Sequence, residues 1–176
     1  PSAGFAYYQG VMSWSTLAMG IGRVDTVLQL LTRLLRDTLL PTLSRQQALI
    51  QLALAHEKKG NSDSALLCLD QAFPLEKNKW AAEALYHMAR LHYEKSDYTK
   101  AREAIYKLRD EYVAYPLPRA SSYLILAKVL LAEQKYSSAR KLLENLQETA
   151  PSAEIKAAAK TLLDSVPAPK PPDSSK

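Results

Sequence analysis

Three histidines, one cysteine and a scatter of carboxylates are the side chains here whose types could do chemistry. A metal site or a general base would need them brought together, as in HExxH on one helix face or CxxC at a turn. Neither spacing occurs. His87 and His92 stand five apart, which puts them on different faces of a helix. Cys68, beside apolar Leu67 and Leu69, reads as a buried inert thiol. Being alone, it excludes an internal disulfide and leaves the compartment open between cytoplasm and a bacterial periplasm or cell envelope. Carboxylates stand beside bases, as in Glu57-Lys58, Glu94-Lys95 and Arg102-Glu103, the pattern of solvated helix surface. There is no glycine-rich phosphate loop and no G-x-S-x-G turn. The expectation is therefore no catalytic residue, no metal, no cofactor, and a protein that is not an enzyme.

The elements that would carry these side chains are helical. Only 5 of 176 residues are glycine, and Leu, Ala, Lys, Glu and Gln dominate, which suits helices rather than strands. The length suits one domain or one piece of a longer array. A net charge of +5, spread along the chain, lacks the basic stripe of a nucleic-acid surface. Residues 1–22 carry no charge, but Gln9, Ser13, Ser15, Thr16 and four glycines argue against a membrane span. A buried helix is expected there.

One pattern is written three times. Leu52-Ala53, His56, Gly60, Ala65, Leu69 and Ala72 are followed by Met88-Ala89, His92, Ser96, Ala101, Ile105 and Leu108. Leu126-Ala127, Leu130, Gln134, Ala139, Leu143 and Leu146 complete the set. The steps are 36 and 38 residues, a period that marks stacked helical hairpins. The alanines let two helices approach closely, and the larger residues fill the spaces between repeats. His56 and His92 take a core position of this pattern. A step of 38 back from Gly60 lands on Gly22, so residues 1–40 read as a degenerate N-terminal hairpin, with Trp14 at the large position and Ser15 at the small one. Its second helix is expected over about 24–37. Asn61, Ser62, Asp63, Asp97 and Ser152 offer caps, and Pro118 fits a first helical turn. Ile155, Ala159, Leu162, Leu163 and Val166 stripe one face of a last helix, so residues 152–166 read as a cap on the array. Residues 167–176 read as a disordered Pro-rich tail that ends the folded part. The N-terminal side, lacking such a cap, is open to further repeats.

The repeated residues resemble the tetratricopeptide repeat, most closely in "LALAHEKKGNSDSALLCLDQA" and over 44–150 as three repeats. The resemblance implies an all-α, right-handed solenoid of about four TPR-like hairpins with a C-terminal capping helix. It also implies a concave groove lined by the first helix of each hairpin. Carried onto this sequence, the groove positions are Gln47, Ile50, Gln51, Leu54 and Glu57; Glu83, Tyr86, His87, Arg90 and Tyr93; and Ser121, Leu124, Ile125 and Lys128. The partner-binding set taken from them is Ile50, Leu54, Tyr86, His87, Arg90, Tyr93, Leu124 and Lys128. The function implied is a protein–protein interaction module or scaffold that binds a partner peptide or helix, with a role in complex assembly. Chaperone-binding members clamp a terminal carboxylate with Lys and Asn. The matching positions here are Ile50, Leu54, His87, Ser121 and Ile125, so Hsp70/Hsp90-type tails do not fit. A narrower likeness, around "YPLPRASSYLILAKVLLAEQKYSSA", is to bacterial cell-envelope TPR proteins. Two other classes stay open. One is a pentatricopeptide-type RNA binder, against which stands a groove of Ile, Leu, Tyr and His. The other is a non-catalytic subunit of an enzyme complex.

Overall fold

The computed structural model describes residues 3–167, with side chains from residue 6 onward. Of the expected tail, only Pro167 lies within the described residues. Among these residues every regular element is a helix, and consecutive helices pack in pairs as in a helical-repeat fold. The chain forms two compact units, residues 1–91 and 92–176. The helices are α1 (Ala3–Gly20), α2 (Val24–Leu34), α3 (Thr42–Lys58), α4 (Ser62–Ala72), α5 (Lys79–Glu94), α6 (Tyr98–Glu111), α7 (Pro116–Ala132), α8 (Tyr136–Thr149) and α9 (Ala153–Asp164).

The turns that end α1, α3, α5 and α7 repeat one chemistry. Gly22, Gly60, Ser96 and Gln134 all take positive φ, between 59° and 81°. The next residue's N–H closes back on the carbonyl five residues earlier: Arg23 to Ala18, Asn61 to His56, Asp97 to His92, Lys135 to Leu130, at 2.8–2.9 Å. This left-handed helix stop is costless for glycine and strained for serine and glutamine. Caps are less uniform. Asp97 accepts from Lys100 N–H and Ser152 from Ile155 N–H, but Asn61 makes no side-chain capping bond.

In the first unit α1 packs on α2 and α3, α2 on α3, and α3 on α4. Ala53 and Ala65 are fully buried or nearly so, and Val27, Leu31, Leu69 and Ala72 fill the core around them. Helix α2 stops at Leu34 rather than near Asp37: the N–H groups of Arg36 and Asp37 close on carbonyls three residues back, and the carbonyls beyond the helix are taken by Arg45. Its guanidinium donates to Leu35 O (2.9 Å) and Asp37 O (2.6 Å). Tyr8 O–H and Leu39 N–H then hold the Asp37 carboxylate at 2.9 Å. Buried Gln46 sets the join from α4 to α5. It donates to Ala72 O and Glu76 O and accepts from Asn78, whose Oδ1 receives the Trp80 and Ala81 N–H groups.

Two features of the N-terminal region depart from expectation. Trp14, placed at the large core position of a worn repeat, is 38% exposed, and only one face of α1 is buried. Tyr8, Val11, Met12, Ser15, Ala18 and Met19 face the core, while no described helix covers the opposite side. None of the described helices is long and apolar enough to cross a membrane.

In the second unit α6 packs on α7, α7 on α8, and α9 on both α7 and α8. Ala127, Leu143, Leu146, Ile155, Ala159 and Val166 form its cluster. Arg102 pairs with Glu133 at 2.5 Å, and Lys135 with the same carboxylate at 2.8 Å. Lys135 and then Arg102 hold that carboxyl below its ordinary range.

Candidate functional site: a cavity on the first-helix face

Helices α1 and α3 are the first helices of successive hairpins, and α5 opens the next. Their shared side in the first unit encloses a cavity of about 350 Å³. Helix α3 supplies Gln47, Ile50, Gln51 and Leu54, four of the five groove positions expected in that repeat. Ile50 is buried at the cavity wall and Leu54 is half-buried. Helix α1 supplies Gln9, Met12, Ser13, Thr16 and Met19, and α5 contributes Trp80. The α1 residues were absent from the expected set, yet the signal was present. A step of 38 back from Gln47, Ile50, Gln51, Leu54 and Glu57 lands on those five residues. Trp80 carried no such signal, since it lies beside the α4–α5 join that Gln46 and Asn78 organise.

The lining has apolar walls with amide and hydroxyl groups among them and no charged side chain. Gln51 ties α3 to α1 by donating to Thr16 Oγ1 (3.0 Å) and Met12 O (3.3 Å). Thr16 donates in turn to Met12 O at 3.1 Å. Lys58 Nζ reaches Met19 O (3.1 Å) near the C-terminal end of α1, a position where a cation is favoured. Lys79 Nζ lies 4.8 Å from the Trp80 ring centroid.

Along α5 the expected residues meet one another. The Tyr86 and His87 rings lie 5.1 Å apart at 59°. Arg90 forms an ion pair with Glu57 of α3, so this guanidinium already holds a carboxylate. It also stands 3.5 Å from His87 Nδ1. Burial, and secondarily the Arg90 charge, lower the His87 pKa to about 4, so the imidazole is neutral near pH 7. Burial alone raises Glu83 above the usual carboxylate range, with Lys79 opposing it. Tyr93, Leu124 and Lys128 belong to the second unit. Tyr93 stacks on Tyr98 with centroids 6.0 Å apart, Leu124 is half-buried against that unit's cluster, and Lys128 is exposed.

Among the described residues no three of His, Cys, Asp and Glu are placed to hold a metal ion. His56 is half-buried, its Nδ1 has no hydrogen-bond partner, and burial lowers its pKa. Cys68 is buried, which pushes its thiol up and away from reactivity. What the geometry offers is shape and hydrogen bonding.

Residues 83–113, from the middle of α5 through α6, match the family model of the tetratricopeptide repeat. The chain carries a tetratricopeptide repeat. The match falls on the second copy of the pattern rather than on the first, whose residues resemble the family most closely by eye. Tetratricopeptide repeats are protein-interaction folds, generally without catalysis of their own, and this points to protein partners. No curated protein matches the chain significantly.

Proposed function

We propose that this protein is a non-catalytic interaction module that holds a partner segment on the first-helix face of its hairpins, within a larger assembly. The observation that carries this reading is the cavity itself. Three helices line it, and α1 and α3 do so from equivalent repeat positions. Its volume lies near the lower end of pockets that hold small ligands, room for an apolar side chain of a partner. Gln9, Ser13, Gln47 and Gln51 are the groups that would meet the partner's main chain, because amides and hydroxyls donate and accept equally well. A lining without charge favours an apolar anchor over an ionic one. Tyr86, His87 and Arg90 extend the surface along α5, and Tyr93, Leu124 and Lys128 are the contacts proposed for the second unit. An acidic group on the partner would have to compete with Glu57 for Arg90.

The test is differential capture. The immobilised chain is compared with its Leu54→Glu variant, which places a carboxylate in the apolar wall. Any partner seated in the cavity should be retained at least about tenfold less by the variant. Lys141→Ala, an exposed change on α8, should retain it fully. Circular dichroism establishes that the variants fold. The reading fails if captured proteins do not distinguish Leu54→Glu from the parent. It also fails if single-stranded RNA binds the parent with a steep salt dependence, which would favour the RNA-binding class.

A further inference from the structure

Helix α1 has a second face, away from the cavity. Tyr7, Gly10, Trp14, Leu17 and Ile21 follow one another at steps of three and four, so they form one stripe along the helix and the turn that ends it. At 100° per residue this stripe lies roughly 140° around the helix from the cavity residues. Tyr7 is 59% exposed, Trp14 38%, Leu17 66% and Ile21 65%. No charged residue occurs anywhere in residues 1–22.

The repeat register shows what these positions normally do. A step of 38 carries Gly10, Trp14 and Leu17 onto Ala48, Leu52 and Ala55 of α3, and all three are buried in the core of the first unit. A further step of 36 reaches Ala84, Met88 and Leu91, which join the same core. In α3 and α5 this ridge is a helix-packing surface; in α1 the same ridge is uncovered. Gly10 sharpens the point. It sits in the helix interior, where glycine is costlier than alanine, yet a Cβ built there meets nothing within 4 Å. Among the described residues nothing requires a glycine at that position. A helix approaching closely from outside would.

We propose that this face is a self-association surface on which α1 of one copy packs antiparallel against α1 of a second copy. Three features select a second copy. A two-fold interface brings a surface against itself, so any charge on it would face its own like, and this surface has none. Antiparallel pairing about Trp14 sets Tyr7 opposite Ile21 and Leu17 over the open backbone at Gly10, so a large residue meets the gap on each side. The area fits a weak association. Taking a large apolar side chain as about 200 Å², the four residues expose roughly 450 Å² per copy. Two copies then hide about 900 Å². The exposed Ala6 beside the stripe adds little, so the total stays below that of stable specific interfaces and a weak dimer is expected.

Sedimentation velocity of the 176-residue chain from about 1 to 200 µM tests this. A concentration-dependent monomer–dimer equilibrium is expected. Leu17→Lys, which sets like charges against each other, should weaken it at least about a hundredfold. Gly10→Leu should do the same by filling the gap, while leaving helicity intact by circular dichroism. Leu67→Lys alters an equally exposed apolar residue on α4 and should dimerise as the parent does. A parent that stays monomeric at 200 µM overturns the proposal. So does a folded Leu17→Lys or Gly10→Leu variant that dimerises normally, or a Leu67→Lys variant that does not. A monomer that floats with phosphatidylcholine vesicles would assign the face to a lipid surface instead.

Discussion

Helices α1 and α9 are each packed on one side only, and they treat the other side differently. Helix α1 turns Tyr7, Trp14, Leu17 and Ile21 outward, whereas α9 turns out Glu154, Lys156, Lys160, Thr161 and Asp164. Helix α9 is also capped, with Ser152 accepting from Ile155 N–H, and Lys156 reaches Glu148 O at 3.0 Å. A helix apolar on one face and polar on the other is finished when its apolar face is covered. A helix apolar nearly all round is not. The two helices thus differ in the composition of the outer face more than in the packing of the inner one.

The largest expected effect breaks this contrast from the α9 side. Deleting residues 152–166 strips Ile155, Ala159 and Val166 from the second unit's cluster and should cost about 3–6 kcal/mol, seen as aggregation or loss of the thermal transition. On the α1 side, Leu17→Ala should shift stability by less than about 1 kcal/mol, since that residue is largely in water. Equal damage from both kinds of change would erase the distinction.

Close helix contacts are expected to respond alike in both units. Ala65→Leu in the first and Ala139→Leu in the second, each at 0% exposure, should destabilise by roughly 1–3 kcal/mol through overpacking. A denaturation midpoint unchanged in one unit would mean its repeat register is misassigned.

The third contrast is electrostatic. With its folded pKa near 4 against 6.5 when exposed, His87 stays neutral in the native state while the unfolded chain takes up a proton. Stability should therefore be unaffected by His87 above about pH 7 and fall by roughly 3 kcal/mol between pH 6.5 and 4. His87→Gln should flatten that slope in urea titrations at several pH values. Glu133 in the second unit is shifted by ion pairing instead: Lys135 and Arg102 lower its pKa, so its contribution is present at neutral pH and is lost as the pH falls through the carboxylate range.

The smallest effects concern the turns. Gly60 takes φ 76° and Gln134 takes φ 59° at equivalent positions. Gly60→Ala should destabilise by about 1 kcal/mol, and Gln134→Gly should gain a few tenths to 1 kcal/mol. The sign reversal, read from thermal midpoints, is the decisive feature.

Much of the fold was legible because the repeat is a packing rule written in residue size. Small residues at 53, 65, 89, 101, 127 and 139 and the 36- and 38-residue steps place the hairpins, and all six alanines are buried. The expected end of α2 ran three residues too far, since the chain tightens into three-residue turns after Leu34 and Arg45, from the next helix, holds the carbonyls there. The cavity was legible in part. Its α3 residues follow from the family's groove positions, and its α1 residues follow from the same step. The join that brings Trp80 in rests on a buried glutamine that no local pattern announces.

The amino-acid sequence by itself determined the helical class, the repeat period, the turn positions and the absence of charge in residues 1–22, because each depends on local propensity or on spacing along one helix. Tertiary structure alone decided which faces of those helices are covered. It joined α1, α3 and Trp80 around one cavity, spent Arg90 on Glu57, left Leu17 in water and left Trp14 partly exposed. Burial is a property of what lies across from a residue, and periodicity specifies a face without naming its neighbour.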